Sequence, residues 1–185
     1  MSFSFSVPTN LVFGQGAIQK LHKQRLPGKK ALIVISSGKS TRANGYLDTV
    51  QDQLTQAGVE YAVFDKVSAN PVVDTVMDGA AFARANGCDF VLGLGGGSSI
   101  DAAKAMWIKY EYPECTFEDM CKVFGLPKLR QKAHFCAISS TSGTATEVTA
   151  FSIITDYSKG IKYPIADFEI TPDVAIVDPD LAETM

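Results

Sequence analysis

Unbroken apolar runs alternate along this chain with longer stretches of helical period. Residues 31–35, 90–94, 135–138 and 174–177 carry no polar side chain, and 60–64 is nearly as apolar. Such runs are expected of strands buried on both faces of a sheet. Helical stretches are predicted over 45–57 and 72–86, and a third begins at Ser98 with Ile100, Ala103 and Trp107 on one face. Helices of this length between strands are what parallel crossovers require. The predicted fold is α/β: a doubly wound, mostly parallel, Rossmann-like sheet.

The remaining segments are less regular. Phe3, Phe5 and Val7 alternate with polar residues, and 10–13 runs up to Gly14-Gln15-Gly16, which reads as a hairpin or an edge strand. A short amphipathic helix is expected over 17–23, ended by Pro27-Gly28. Between Glu111 and Lys132 the pattern fades, apart from a short helix near 116–123. Residues 152–156 and 163–166 flank Ser158-Lys159-Gly160 and predict a small β-hairpin added to the sheet. Nothing repeats, and 185 residues are expected to form one domain, 1–185.

Composition narrows the function classes. With 46% hydrophobic and 20% charged residues the chain reads as a globular protein in water. A net charge of −3, without a Lys/Arg cluster, argues against nucleic acid as a partner. The N-terminus lacks a basic, then apolar, secretion signal, and no apolar run reaches the roughly 18 residues of a membrane span. Cys88, Cys115, Cys121 and Cys136 form no C-x-x-C pair and read as reduced thiols, so a cytoplasmic protein is expected.

Two loops carry the candidate chemistry. Gly93-Leu94-Gly95-Gly96-Gly97-Ser98-Ser99-Ile100-Asp101-Ala102-Ala103-Lys104 places glycines where a buried strand turns into a helix. Glycines let a diphosphate approach the backbone, and the free N–H groups and dipole of the helix attract its oxygens. Ser98 or Ser99 caps the helix or donates to phosphate. Asp101, in the first turn, also fits a purely capping role, and Lys104 reads equally as a solvated surface lysine. The second loop, Ser139-Ser140-Thr141-Ser142-Gly143-Thr144-Ala145-Thr146-Glu147, offers hydroxyl donors to phosphate or ribose; it also reads as a helix start with Thr144 and Glu147 as a capping box. A serine hydrolase is excluded by the lack of a G-x-S-x-G elbow and of a suitable histidine. Zinc held by Cys115, Cys121, His134 and Cys136 would need unusual spacings.

Together, Gly95 to Lys104, Ser140 to Thr149 and Pro172-Asp173-Val174-Ala175-Ile176-Val177-Asp178-Pro179 resemble the iron-containing (group III) alcohol dehydrogenases, in that family's order. Phe13-Gly14-Gln15-Gly16-Ala17 and Ser68-Ala69-Asn70-Pro71 extend the resemblance over almost the whole chain. It implies an N-terminal domain that binds NAD or NADP and serves hydride transfer with a small alcohol or aldehyde. It places Gly95, Gly96, Gly97 and Ser98 at the pyrophosphate, Asp101 toward the nicotinamide, Ser140, Thr141 and Thr144 along the adenosine and ribose, Lys162 on the cofactor, and Leu181 near adenine. The family's iron or zinc is held by a separate all-helical domain, whose ligands are expected beyond this chain, so neither a metal ligand nor a catalytic residue is assigned here and the isolated chain is expected to be inactive.

Two positions depart from the family pattern. Ser139 stands where relatives carry proline, which predicts a looser turn. Ser36, Ser37, Gly38 and Lys39 stand where NAD-preferring members carry an aspartate for the ribose 2′-hydroxyl; small hydroxyls and a lysine instead suit a 2′-phosphate, so NADP is favoured over NAD. The alternative function is a catalytically inactive nucleotide-binding or assembly module, with a homodimer formed by strand exchange through Phe3, Phe5 and Val7.

Overall fold

The computed structural model describes residue 2 and residues 7–183. Six strands form one parallel sheet: β1 (Asn10–Phe13), β2 (Lys30–Ser36), β3 (Glu60–Val67), β4 (Phe90–Gly95), β5 (His134–Ser139) and β8 (Val174–Val177), in the order β1-β8-β5-β4-β2-β3. The predicted doubly wound sheet is therefore present. Strand β1 pairs parallel with β8, Asn10 opposite Val174. Asn10–Phe13 is thus an edge strand of the sheet, while the hairpin reading falls on a segment that lies partly outside the described residues. Val7 is exposed and outside any strand, while Phe3 and Phe5 lie outside the described residues.

Side-chain alternation divides the core into two layers. Ala31, Ile33 and Ile35, with Phe90, Leu92, Leu94, Cys136 and Ile138, face α2 (Tyr46–Gln56) and the 3-10 turn Ala17–Lys23. Leu32, Val34, Val91, Phe135 and Ala137 face α3 (Val73–Asn86) and α4 (Gly97–Glu111). Helix α4 seats closely on the sheet because β4 carries Gly93, where a β-carbon would stand 3.1 Å from the Ile100 Cα. A short α1 (Ser40–Ala43), unpredicted, follows β2, and α5 (Phe117–Met120) is shorter than expected, closed by a Thr116–Asp119 capping box. The predicted hairpin exists as β6 (Phe151–Asp156), which packs on α4, and β7 (Ile161–Ala166), which packs on α5, apart from the main sheet.

The irregular stretch after α4 is held by one buried carboxylate. Glu111, 3% exposed, accepts from Trp107 Nε1, from the backbone N–H groups of Arg130 and Ala133 through Oε1, and from Gln131 N through Oε2, at 2.9–3.2 Å. Arg130, at φ 70°, lays its guanidinium over the Trp107 ring and pairs with Asp173 at 2.6 Å. Glu111→Ala removes the acceptor of the Arg130, Gln131 and Ala133 N–H groups, while Trp107 Nε1 keeps the Ala133 carbonyl. A loss of about 3 kcal/mol is expected in denaturant unfolding, and an unchanged midpoint would refute it.

Candidate functional site

The winding of the sheet creates a crevice. From β2 the chain proceeds outward to β3, then returns to β4 on the other side of β2 and continues away through β5 and β8. The carboxyl ends of β2 and β4 therefore flank the point where strand order reverses, which is where open α/β sheets bind ligands. The loop Ser36 to Lys39 leaves one of these ends and Gly95 to Ser98 leaves the other.

The glycines are required by what surrounds them. Gly95 has φ +132°, a conformation that side chains rarely adopt, and its carbonyl accepts from Ser140 N at 2.9 Å. A β-carbon at Gly96 would stand 3.1 Å from Thr141 Cγ2, and one at Gly97 would stand 3.1 Å from Thr144 Oγ1. Only bare backbone lets the hydroxyl loop settle this closely. Thr41, buried in α1, comes up beside Gly95, and Ser98 Oγ donates to the Ala69 carbonyl. Four segments of chain thus converge.

Helix α4 begins at Gly97, one residue before the predicted start, and no side chain caps it. Ser99 N and Ile100 N both turn to the Gly96 carbonyl. Among the described residues, no acceptor takes the Gly97 and Ser98 N–H groups. Fifteen aligned peptide units place the positive end of their dipole at this bare end.

Several readings of individual residues are corrected. Asp101 does not cap the helix: Oδ1 accepts from Thr146 Oγ1 at 2.7 Å and Oδ2 from Ile153 N at 3.1 Å, so it clamps the hydroxyl loop and β6 to α4. Burial raises its pKa, opposed by the Thr146 and Ile153 hydrogen bonds and by Lys104. Lys104 is not a solvated lysine but is fully buried. Residues 140–150 form turns and no helix, so Thr144 and Glu147 make no capping box. Ser139 does not loosen the turn either: its Oγ donates to the Thr141 carbonyl at 3.0 Å and ties it.

The remaining candidates are dispersed. Ser36 is half-buried at the end of β2, while Ser37, Gly38 and Lys39 are exposed ahead of α1. Ser140 and Thr141 are half-buried and Thr144 is exposed. Lys162 is exposed on β7 opposite Thr155. Leu181 is packed in the core with Ala17 and Ile18, 5% exposed, its carbonyl accepting from Tyr46. Sequence reasoning assigned no role to Thr41 or Ala69. The Ser68-Ala69-Asn70-Pro71 block was a signal for the second; nothing marked the first.

A cleft of about 480 Å³ opens along the hydroxyl loop, lined by Ser139, Thr141 and Gly143 together with Phe13, Glu147 and Asp178. The carboxylates in its lining oppose a phosphate beside them. The postulated zinc set is not assembled. Among the described residues no three His, Cys, Asp or Glu side chains are grouped to hold a metal, and burial pushes the Cys136 thiol up to about 12.

Residues 8–179 match the family model described as iron-containing alcohol dehydrogenase. The chain belongs to the iron-containing alcohol dehydrogenase family. An NADPH-dependent butanol dehydrogenase of Clostridium saccharobutylicum is 52% identical over 181 residues, which are 98% of this chain and 46% of that protein. Among solved structures, an iron-containing alcohol dehydrogenase of Thermotoga maritima superposes with a TM-score of 0.88 at 33% identity, covering all of this chain and 50% of the other. An NADH-dependent butanol dehydrogenase of the same organism gives 0.87 at 30% identity, with 46% of its length covered. The chain thus spans about half the length of these iron-family relatives. No helix among the described residues is long and apolar enough to cross a membrane.

Proposed function

We propose that the crevice between β2 and β4 seats a nicotinamide dinucleotide, NADPH in preference to NADH, and that this chain is the cofactor-binding part of an alcohol dehydrogenase acting on a small alcohol or aldehyde. The observation that carries the reading is the uncapped N-terminus of α4, with three glycines ahead of it and two threonines folded over it. When bound, the dinucleotide supplies the hydride carrier at its nicotinamide ring. The chain's own residues bind and orient it.

In this reading the Gly97 and Ser98 N–H groups take the diphosphate oxygens, and Gly95 and Gly96 let them approach. Ser140, Thr141 and Thr144 donate along the adenosine and ribose. Ser36, Ser37, Gly38 and Lys39 receive the adenosine ribose and its 2′-phosphate, which no carboxylate in that string repels. Asp101 lies toward the nicotinamide end, Lys162 contacts the cofactor, and Leu181 belongs to the wall behind adenine. Among the described residues no group of side chains would hold a metal ion. Four free cysteines suit a reducing cytoplasm. Strand β1, at the edge of the sheet with Leu11 and Phe13 exposed, supports a homodimer built by strand pairing.

Calorimetric titration tests the reading. NADPH is expected to bind more tightly than NADH, and alcohol-dependent NADPH formation by this chain alone is expected to be nil. Failure of both nicotinamide forms to bind the folded protein would refute the proposed function.

A further inference from the structure

Lys104 closes the glycine motif, and its ammonium faces four acceptors from the hydroxyl loop and β6. It lies three residues after Asp101 on α4, with no surface in contact with solvent. Its Nζ donates to the carbonyls of Thr146 at 2.7 Å, Thr149 at 2.6 Å and Phe151 at 3.0 Å, and to Thr146 Oγ1 at 3.2 Å. The Thr146 hydroxyl passes its own hydrogen to Asp101 Oδ1 at 2.7 Å. A relay of ammonium, hydroxyl and carboxylate therefore ties the tail of the hydroxyl loop to the helix that bears the glycine loop.

Folding stability does not explain this charge. Burial lowers the amine's pKa to about 8, although Asp101 on its own helix and Glu147 on the loop both raise it. From β6 the amine meets the uncharged Phe151 carbonyl. An unfolded lysine keeps its proton up to about 10.5, so between pH 8 and 10.5 the unfolded chain binds more protons and stability rises with pH; at neutral pH the buried charge weakens folding. The geometry does account for it. Three carbonyl oxygens turned toward one point repel each other unless a cation stands between them.

We propose that Lys104 is a positioning residue for the dinucleotide: its ammonium gathers the carbonyls of residues 146–151 and thereby holds Thr141 and Thr144 down on the glycine loop. This rests on the function proposed above and names what keeps that site closed. The neutral amine has one N–H fewer and turns a lone pair toward the carbonyls, so the loop loosens when the proton leaves.

Calorimetric titration of the chain with NADPH between pH 6.5 and 9.5 tests it. For the wild type, affinity is expected to change little below about pH 7 and to fall about tenfold between pH 7 and 9. Lys104→Met is expected to bind about tenfold more weakly at pH 7 and to lose the pH dependence. Lys104→Arg, ionised throughout, is expected to flatten the profile as well. A purely structural lysine would leave that profile flat in the wild type. Wild-type affinity equal at pH 7 and 9, or folded Lys104→Met binding as tightly as wild type, overturns this inference alone. Absence of wild-type binding at pH 7 removes the proposed function with it. The wild-type profile needs no variant, so a Lys104→Met protein that fails to fold leaves the test intact.

Discussion

Gly96→Val is expected to weaken NADPH and NADH binding alike, by more than about a hundredfold, while leaving the protein folded. The β-carbon alone would meet Thr141 Cγ2 at 3.1 Å, and the two γ-methyls reach further, so the hydroxyl loop must lift and the N–H groups of Gly97 and Ser98 are covered. Losing two charge-assisted hydrogen bonds to a diphosphate costs about 3 kcal/mol or more, which is the hundredfold. Gly96 is the right probe because its φ of −78° is open to valine. At Gly95, with φ +132°, the same change would strain the backbone and confuse binding with folding. Titration of both cofactors together with thermal unfolding decides the matter. Near-wild-type affinity in a folded Gly96→Val protein would mean that the phosphates sit elsewhere.

Ser36→Asp is expected to separate the two cofactors. Ser36 ends β2 beside the crevice, and nothing acidic stands in the loop that follows it. A carboxylate about 5 Å from a doubly charged 2′-phosphate opposes it by about 2 kcal/mol at the dielectric of a wetted surface, roughly thirtyfold in affinity. NADH has only a hydroxyl there, which donates a hydrogen bond to the carboxylate. Its affinity is expected to stay within about twofold or to improve. Equal losses for both forms would show that the adenosine ribose does not lie on this loop.

Helix starts and hydroxyl partners mark the limit of what the residues disclosed. The sequence pattern led to the parallel sheet, the hairpin and the glycine turn because each is written in local terms: apolar runs for strands buried on both faces, glycines where the backbone must pass close to something. The blocks Gly95 to Lys104 and Ser140 to Thr149 likewise marked the two loops that meet. Thr144 and Glu147 have the spacing of a capping box and yet no helix follows, because Thr146 and the carbonyls of Thr146 and Thr149 are drawn to Lys104 and Asp101 instead. A local rule lost to a contact more than forty residues away. The capping alternative for Asp101 failed for the same reason, since its partners come from the hydroxyl loop and from β6.

From its sequence alone this chain determined which segments are buried, which turns need glycine, and which family it resembles, since those properties depend on each residue and its near neighbours. The tertiary structure alone decided that Asn10–Phe13 joins the sheet in parallel beside β8, that Thr41 lies next to Gly95, and that Lys104 is buried among carbonyls and not solvated. Each of these depends on segments far apart in the chain being brought within a few ångströms, and a hydrogen bond or a steric contact exists only at that range.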